Sequence, residues 1–276
     1  MAKIGFIKLG NLGMSQVVDL ILDEIAARQG IEIRSFGTGA KMGKEEAAHT
    51  KHFKEYEADF YVMISPNSSA PGPTAAREIW NDKPVIVISD GPTKKDDRQA
   101  LEDAGFGYIM MKVDPLIGAK TEFLDCVEMA SFNSDVMKVL STCGVVRLIQ
   151  EAFDAVISQA DAGKSGKDLE LPHLLVTAQK AVESAGFNNP YAKAKALAAL
   201  HMADKVAEIN FPACFMMKDI EQVTLTTATG HEMMRAAAQL AIDAREIEKG
   251  NDSVYRQPHM KDGSLKTKTK LYDKPQ

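Results

Sequence analysis

The segment PVIVIS at residues 84–89 is apolar without alternation from Val85 to Ile88. A strand with one wet face alternates apolar and polar residues. A strand that does not is buried on both faces, which means a parallel sheet covered by helices. Residues 4–9, 31–36, 60–64 and 108–112 read as four further strands. The segments between them carry helical spacing, as in residues 14–28, where Val17, Val18, Ile21, Leu22 and Ile25 share one face. Helices are also read at 44–56, in a short stretch through Trp80, and at 95–104. Residues 1–118 therefore predict a doubly wound α/β domain, a Rossmann-like sheet of five parallel strands.

The pattern then changes. From 121 to about 162 only helical spacing is found, with Gly144 as a candidate break, and AGKSGKD follows as a polar linker. Pro172 opens a helix that ends near Gly186. The residues NNP start an alanine-rich helix that Pro212 ends, and a last helix covers about 230–248. Alanine-rich faces let helices approach closely, so residues 119–250 are expected to form a bundle. In the tail, 251–276, SVYRQPHM and SLKTKTK flank Lys261-Asp262-Gly263, a turn signal in which glycine supplies positive φ. A small C-terminal β-hairpin is expected there, packed on the body or on a neighbouring subunit.

A chain of 276 residues with 33 Lys+Arg against 38 Asp+Glu carries a formal charge of -5, which argues against a nucleic-acid partner. Cys126, Cys143 and Cys214 are odd in number and lack CxxC spacing, so reduced thiols in the cytoplasm are expected. The opening apolar run is interrupted by Lys3 and Lys8, and no uncharged stretch approaches the ~20 residues of a membrane helix, so neither secretion nor membrane insertion is expected.

In open α/β sheets ligands sit beyond the carboxyl ends of the strands. The first such loop, with Lys8, Gly10, Asn11 and Gly13, approaches a dinucleotide fingerprint, but Lys8 stands where its first glycine belongs. Residues 34–37 offer no carboxylate for an adenine ribose, although Arg34 or Ser35 are compatible with a 2′-phosphate. An NADP-linked dehydrogenase with a degenerate fingerprint is thus an alternative reading. Lys8 either meets an anionic ligand or packs its stem and sends its head to solvent. The loop SPNSSAPGP is stiffened by Pro66, Pro71 and Pro73 around the conformationally free Gly72, which presents Ser65, Asn67 and Ser68 at little entropic cost. Asp90 and Gly91 form a tight turn after the fourth strand, in which Asp90 either caps the turn or contacts a ring; Lys94 follows. Glu122, Asp125 and Glu128 include helical neighbours that form either a solvated face or the border of a ligand cleft. His49 and His52 lack a third ligand, the histidines at 173, 201, 231 and 259 are scattered, and no metal is expected.

The opening KIGFIKLGNLGMS, the loop SPNSSAPGP, the turn SDGPTKKD, the run FLDCVEMASFNSDVMKVLSTCGVVRLIQ and the tail SVYRQPHMKDGSLKTKTKLYD together resemble the coenzyme F420-dependent methylenetetrahydromethanopterin dehydrogenases. The resemblance implies an archaeal enzyme of methanogenic one-carbon metabolism that reversibly oxidises methylenetetrahydromethanopterin to the methenyl cation. The hydride passes to F420, a dissociable cosubstrate, with no metal and no bound flavin. It also implies an α/β domain, a helical part, a small sheet and a homohexamer. Under that reading the coenzyme-binding candidates are Lys8, Gly10, Asn11, Gly13, Ser65, Pro66, Asn67, Ser68, Asp90, Gly91 and Lys94. Glu128 and Asp125 are candidates for stabilising the cation, and Asp114, Glu122 and Glu128 for holding the pterin. Direct hydride transfer needs no protein nucleophile, and none of the common hydrolase or metalloprotease motifs is present. From another class, a non-catalytic oligomeric scaffold also suits the alanine-rich helices.

Overall fold

The structure is a computed structural model and describes residues 1–10, 12–90, 94–112 and 123–276. It divides into two compact units, one of Met1–Met111 with Ile149–Val176, the other of Lys112–Leu148 with Thr177–Gln276.

The first unit is built on a parallel sheet. Its strands are β1 (Ala2–Lys8), β2 (Ile31–Gly37), β3 (Phe60–Ser65), β4 (Val85–Ser89), β5 (Gly107–Met110) and β6 (His173–Leu175), in the order β2-β1-β3-β4-β5-β6. The unalternating runs behave as expected: every residue of β3, β4 and β5 is buried. The sheet has six strands, not five. The added strand is β6, a segment expected to be helical, which pairs Tyr108 with His173 and Met110 with Leu175. Pro172 is as compatible with the start of an edge strand as with the start of a helix. What decides is the free edge of β5, which takes a hydrogen bond into the Pro172 carbonyl from the Tyr108 N–H. Gly107 permits this approach, since a Cβ there would lie 2.6 Å from that of Leu171.

Helices α1 (Gly13–Ala26), α2 (Lys44–His49), α3 (Pro71–Ile79) and α4 (Lys95–Asp103) connect the strands. The helix expected over 44–56 is shorter, because it tightens into a 3₁₀ turn at Thr50–Glu55. Trp80 is fully buried in the cluster with Tyr61 and Phe53, and its ring N–H donates to Thr50 Oγ1 at 2.9 Å.

The second unit is helical: α5 (Cys126–Thr142), the first turn of α6 (Val145–Asp161), α7 (Ala178–Ser184), α8 (Pro190–Phe215) and α9 (Ile220–Gly250). Gly144 does break the helices, at φ +96, where a Cβ would lie 1.8 Å from the Ala181 carbonyl oxygen. Two expected boundaries are corrected. α8 does not end at Pro212 but runs through it to Phe215, and α9 begins at Ile220, not near 230. Asp219 caps the true start by accepting from the Gln222 N–H at 2.9 Å. Gly230 lies inside α9 because the Asn210 side chain fills the space a Cβ would need. The tail shows two isolated antiparallel bridges, Arg256 with Lys268 and His259 with Leu265, around a turn in which Gly263 has φ +84.

Candidate functional site

In the order β2-β1-β3, the chain reverses direction across the sheet at β1 and β3, and in open α/β sheets the ligand crevice lies beyond the carboxyl ends of such a pair. Gly10 leaves β1 at φ +85, and its N–H donates to Thr38 Oγ1 at 3.2 Å. A Cβ on Gly10 would press to 3.1 Å from Pro66 and 3.2 Å from Met42. The loops after β1, β2 and β3 therefore meet at one point, and Gly10 and Pro66 of the candidate set lie there together. Gly13 and Ser65 are buried at the adjoining ends of α1 and β3. Asn11 and Gly91 lie outside the described residues. Gly72 does not serve conformational freedom. A Cβ on it would lie 1.8 Å from the Met42 carbonyl oxygen, so it allows α3 to touch the loop before α2.

The polar groups around the crevice are largely engaged within the fold. Lys8 forms an ion pair with Asp19 at 2.8 Å and lies 5.7 Å from the Phe6 ring centroid. Asn67 Oδ1 accepts from the Ser69 N–H at 3.0 Å, and the Ser68 N–H donates to Ser89 Oγ at 2.9 Å. The Ser68 carbonyl accepts from Arg77, which also donates to Thr74 Oγ1 at 3.3 Å. Arg77 was not visible as a site residue in the sequence, because its partner is a backbone carbonyl on the preceding loop. Burial lowers its pKa from the ordinary arginine value, against the carboxylates of Asp97 and Glu78. Asp90 is buried at the end of β4, so its carboxylate does not stand on the surface, and Lys94 is exposed at the start of α4.

In the second unit, the Asp125 carboxylate caps α5 by accepting from the Glu128 N–H at 2.8 Å. Glu128 faces a cavity of about 600 Å³ shared with Lys138, His231 and Arg235. His231, which carried no signal in the sequence, is stacked on Phe132 at 4.3 Å and edge-on to Phe123 at 4.9 Å. Its Nδ1 is 3.9 Å from Glu128 Oε2. Burial holds its pKa below 6.5, outweighing the Glu232 carboxylate. Asp114 and Glu122 lie outside the described residues. Among the described residues no cluster could hold a metal ion, and no helix is long and apolar enough to cross a membrane.

The family model for methylene-5,6,7,8-tetrahydromethanopterin dehydrogenase matches residues 2–276. The chain belongs to this family. An F420-dependent methylenetetrahydromethanopterin dehydrogenase of Methanosarcina acetivorans is 71% identical over 276 residues, covering 100% of this chain and 99% of the relative. The dehydrogenase of that name from Archaeoglobus fulgidus is 52% identical, covering 99% of both chains. A solved F420-dependent methylenetetrahydromethanopterin dehydrogenase, in complex with methylenetetrahydromethanopterin and coenzyme F420, superposes with a TM-score of 0.93 at 43% identity over 100% of both chains. Membership of this family leaves the NADP-linked reading without support.

Proposed function

We propose that the protein reversibly transfers a hydride from methylenetetrahydromethanopterin to coenzyme F420, giving methenyltetrahydromethanopterin and reduced F420. The observation that carries this is the full-length likeness to a relative solved with both compounds. The coenzyme is assigned to the loops beyond β1 and β3, the switch point where open α/β sheets bind ligands. Gly10 and Pro66 meet there through backbone and ring atoms, and a Cβ on Gly10 would crowd the contact. When bound, the deazaflavin supplies the hydride-accepting carbon. Gly10, Gly13, Pro66, Asn67 and Ser68 shape and align its site, and Asn11, Asp90, Gly91 and Lys94 are further candidates for it. Because Lys8 is already paired with Asp19, its contribution to an anionic coenzyme is reduced; Lys41 and Lys94, both exposed, are better placed to meet a phosphate.

On the pterin side the product is a delocalised cation, which a fixed carboxylate stabilises without acid–base chemistry. Glu128 is assigned this role, because its side chain faces a cavity whereas the Asp125 carboxylate is occupied as a helix cap. Asp114 and Glu122 are retained as pterin-binding candidates on the same electrostatic grounds. Assembly into a homo-oligomer, read as a hexamer, is supported by exposed Phe215, Met216, Ile220 and Leu225 around the junction of α8 and α9. The absence of disulfides among the three free cysteines supports a cytoplasmic setting. Mixing the protein with F420 and methylenetetrahydromethanopterin should bleach the visible absorbance of the deazaflavin. A non-catalytic scaffold would leave that absorbance unchanged, which would refute the proposal.

A further inference from the structure

Ser68 is fully buried at the crest of the loop after β3, and both of its backbone polar groups are held by side chains from outside that loop. Its N–H donates to Ser89 Oγ at the end of β4, and its carbonyl accepts from Arg77 near the end of α3. Next to it, the Asn67 side chain and carbonyl close a turn onto the N–H groups of Ser69 and Ala70. Ser68 is thus anchored to two separate elements. The Arg77 bond is charge-assisted, which makes it the stronger kind. The Ser68 carbonyl fixes the peptide to Ser69, and the Ser68 N–H held by Ser89 fixes the peptide to Asn67, so the two bonds together set where Asn67 and Pro66 stand. Pro66 in turn is the residue that a Cβ on Gly10 would crowd, so its position sets how closely the loops after β1 and β3 meet. A loop that merely joined β3 to α3 would need no cation holding its crest.

We infer that Arg77 is a positioning residue of the coenzyme site, acting through the Ser68 carbonyl to hold Pro66 and Asn67 opposite Gly10. The inference rests on the reading of the β1/β3 crevice as the F420 site. It predicts a selective effect. Removing the guanidinium loosens one wall of the crevice, so affinity for F420 falls while affinity for the pterin does not.

The test compares wild type, Arg77→Ala and Arg77→Lys in steady-state assays in which F420 and methylenetetrahydromethanopterin are varied in turn. Melting temperatures and hydrogen exchange over residues 65–70, with and without F420, are recorded on the same proteins. Arg77→Ala should raise KM for F420 by about 5- to 10-fold, in line with loss of one hydrogen bond to a charged group. KM for the pterin should stay within about 2-fold, the change expected when no contact to it is lost. Arg77→Lys, which keeps the charge and one donor, should fall between wild type and Arg77→Ala. A merely structural role would lower the melting temperature and the active fraction without separating the two KM values. An unchanged KM for F420, or equal rises in both KM values, overturns the inference. Should Arg77→Ala not fold, the Lys variant decides by the same criterion. Lack of F420 protection over 65–70 in wild type would sink the site reading itself. Protection together with an unchanged KM for F420 would sink the role of Arg77 alone.

Discussion

His231 is held between Phe132 and Phe123, and burial favours its neutral imidazole. Its folded-state pKa therefore lies below the value of 6.5 that applies when it is exposed. As the pH falls through 6.5 the unfolded chain takes up a proton before the folded chain does, so stability present above that value is lost. The denaturation midpoint of wild type should thus drop between about pH 7.5 and about pH 5.5 by more than that of His231→Gln, which cannot titrate. Equal drops would remove His231 as the cause. Nothing in the sequence distinguished this histidine from the others, since its aromatic partners Phe123 and Phe132 lie on or beside another helix about a hundred residues away. The same holds for Lys8: its two sequence readings were open because Asp19, which neutralises it, is a neighbour only once α1 has formed. Asp125 was read as part of a solvated face or a cleft border, whereas its carboxylate caps α5; the signal that could have shown this, Asp followed three residues later by Glu at the start of an apolar-periodic run, is local.

Elements whose periodicity is strong and local were readable, and those decided by distant contacts were not. β3 and β4 announce themselves by unbroken apolar runs, whereas β6 has three residues and exists because β5 offers an open edge. α9 extends ten residues before Gly230 through a threonine-rich stretch of modest helix propensity, stabilised by packing along α8. The α8–α9 pair is fastened at one end by Glu248, which is buried on α9 and accepts from the N–H groups of Asn188 at 3.0 Å and Asn189 at 2.7 Å, at the start of α8. Replacing it by alanine takes the carboxylate acceptor from those two N–H groups, on exposed Asn188 and half-buried Asn189, and from the Ser253 hydroxyl. Glu248→Ala should destabilise the protein by about 2–4 kcal/mol. Denaturant titration would measure this, and a loss under about 0.5 kcal/mol, typical of surface positions, would show that the fastening is not energetically significant.

The molecule as a whole combines a six-stranded parallel sheet with a helical unit, and its chain contributes to the sheet unit twice, through Met1–Met111 and Ile149–Val176. That return was illegible because the sheet looked complete at β5. The α/β class was legible, since it follows from which strands lack a polar face; the switch point at β1 and β3 was not, because it depends on strand order. In the proposed reaction the redox chemistry resides in the coenzyme and the pterin. Alignment and fixed charge are then what the polypeptide contributes. A crystal structure of this protein with F420 and methylenetetrahydromethanopterin tests that most directly. The deazaflavin ring should lie against Gly10 and residues 66–68, with its acceptor carbon about 3–3.5 Å from the pterin's donor carbon. A coenzyme bound away from those loops, or two rings held out of contact, would contradict it.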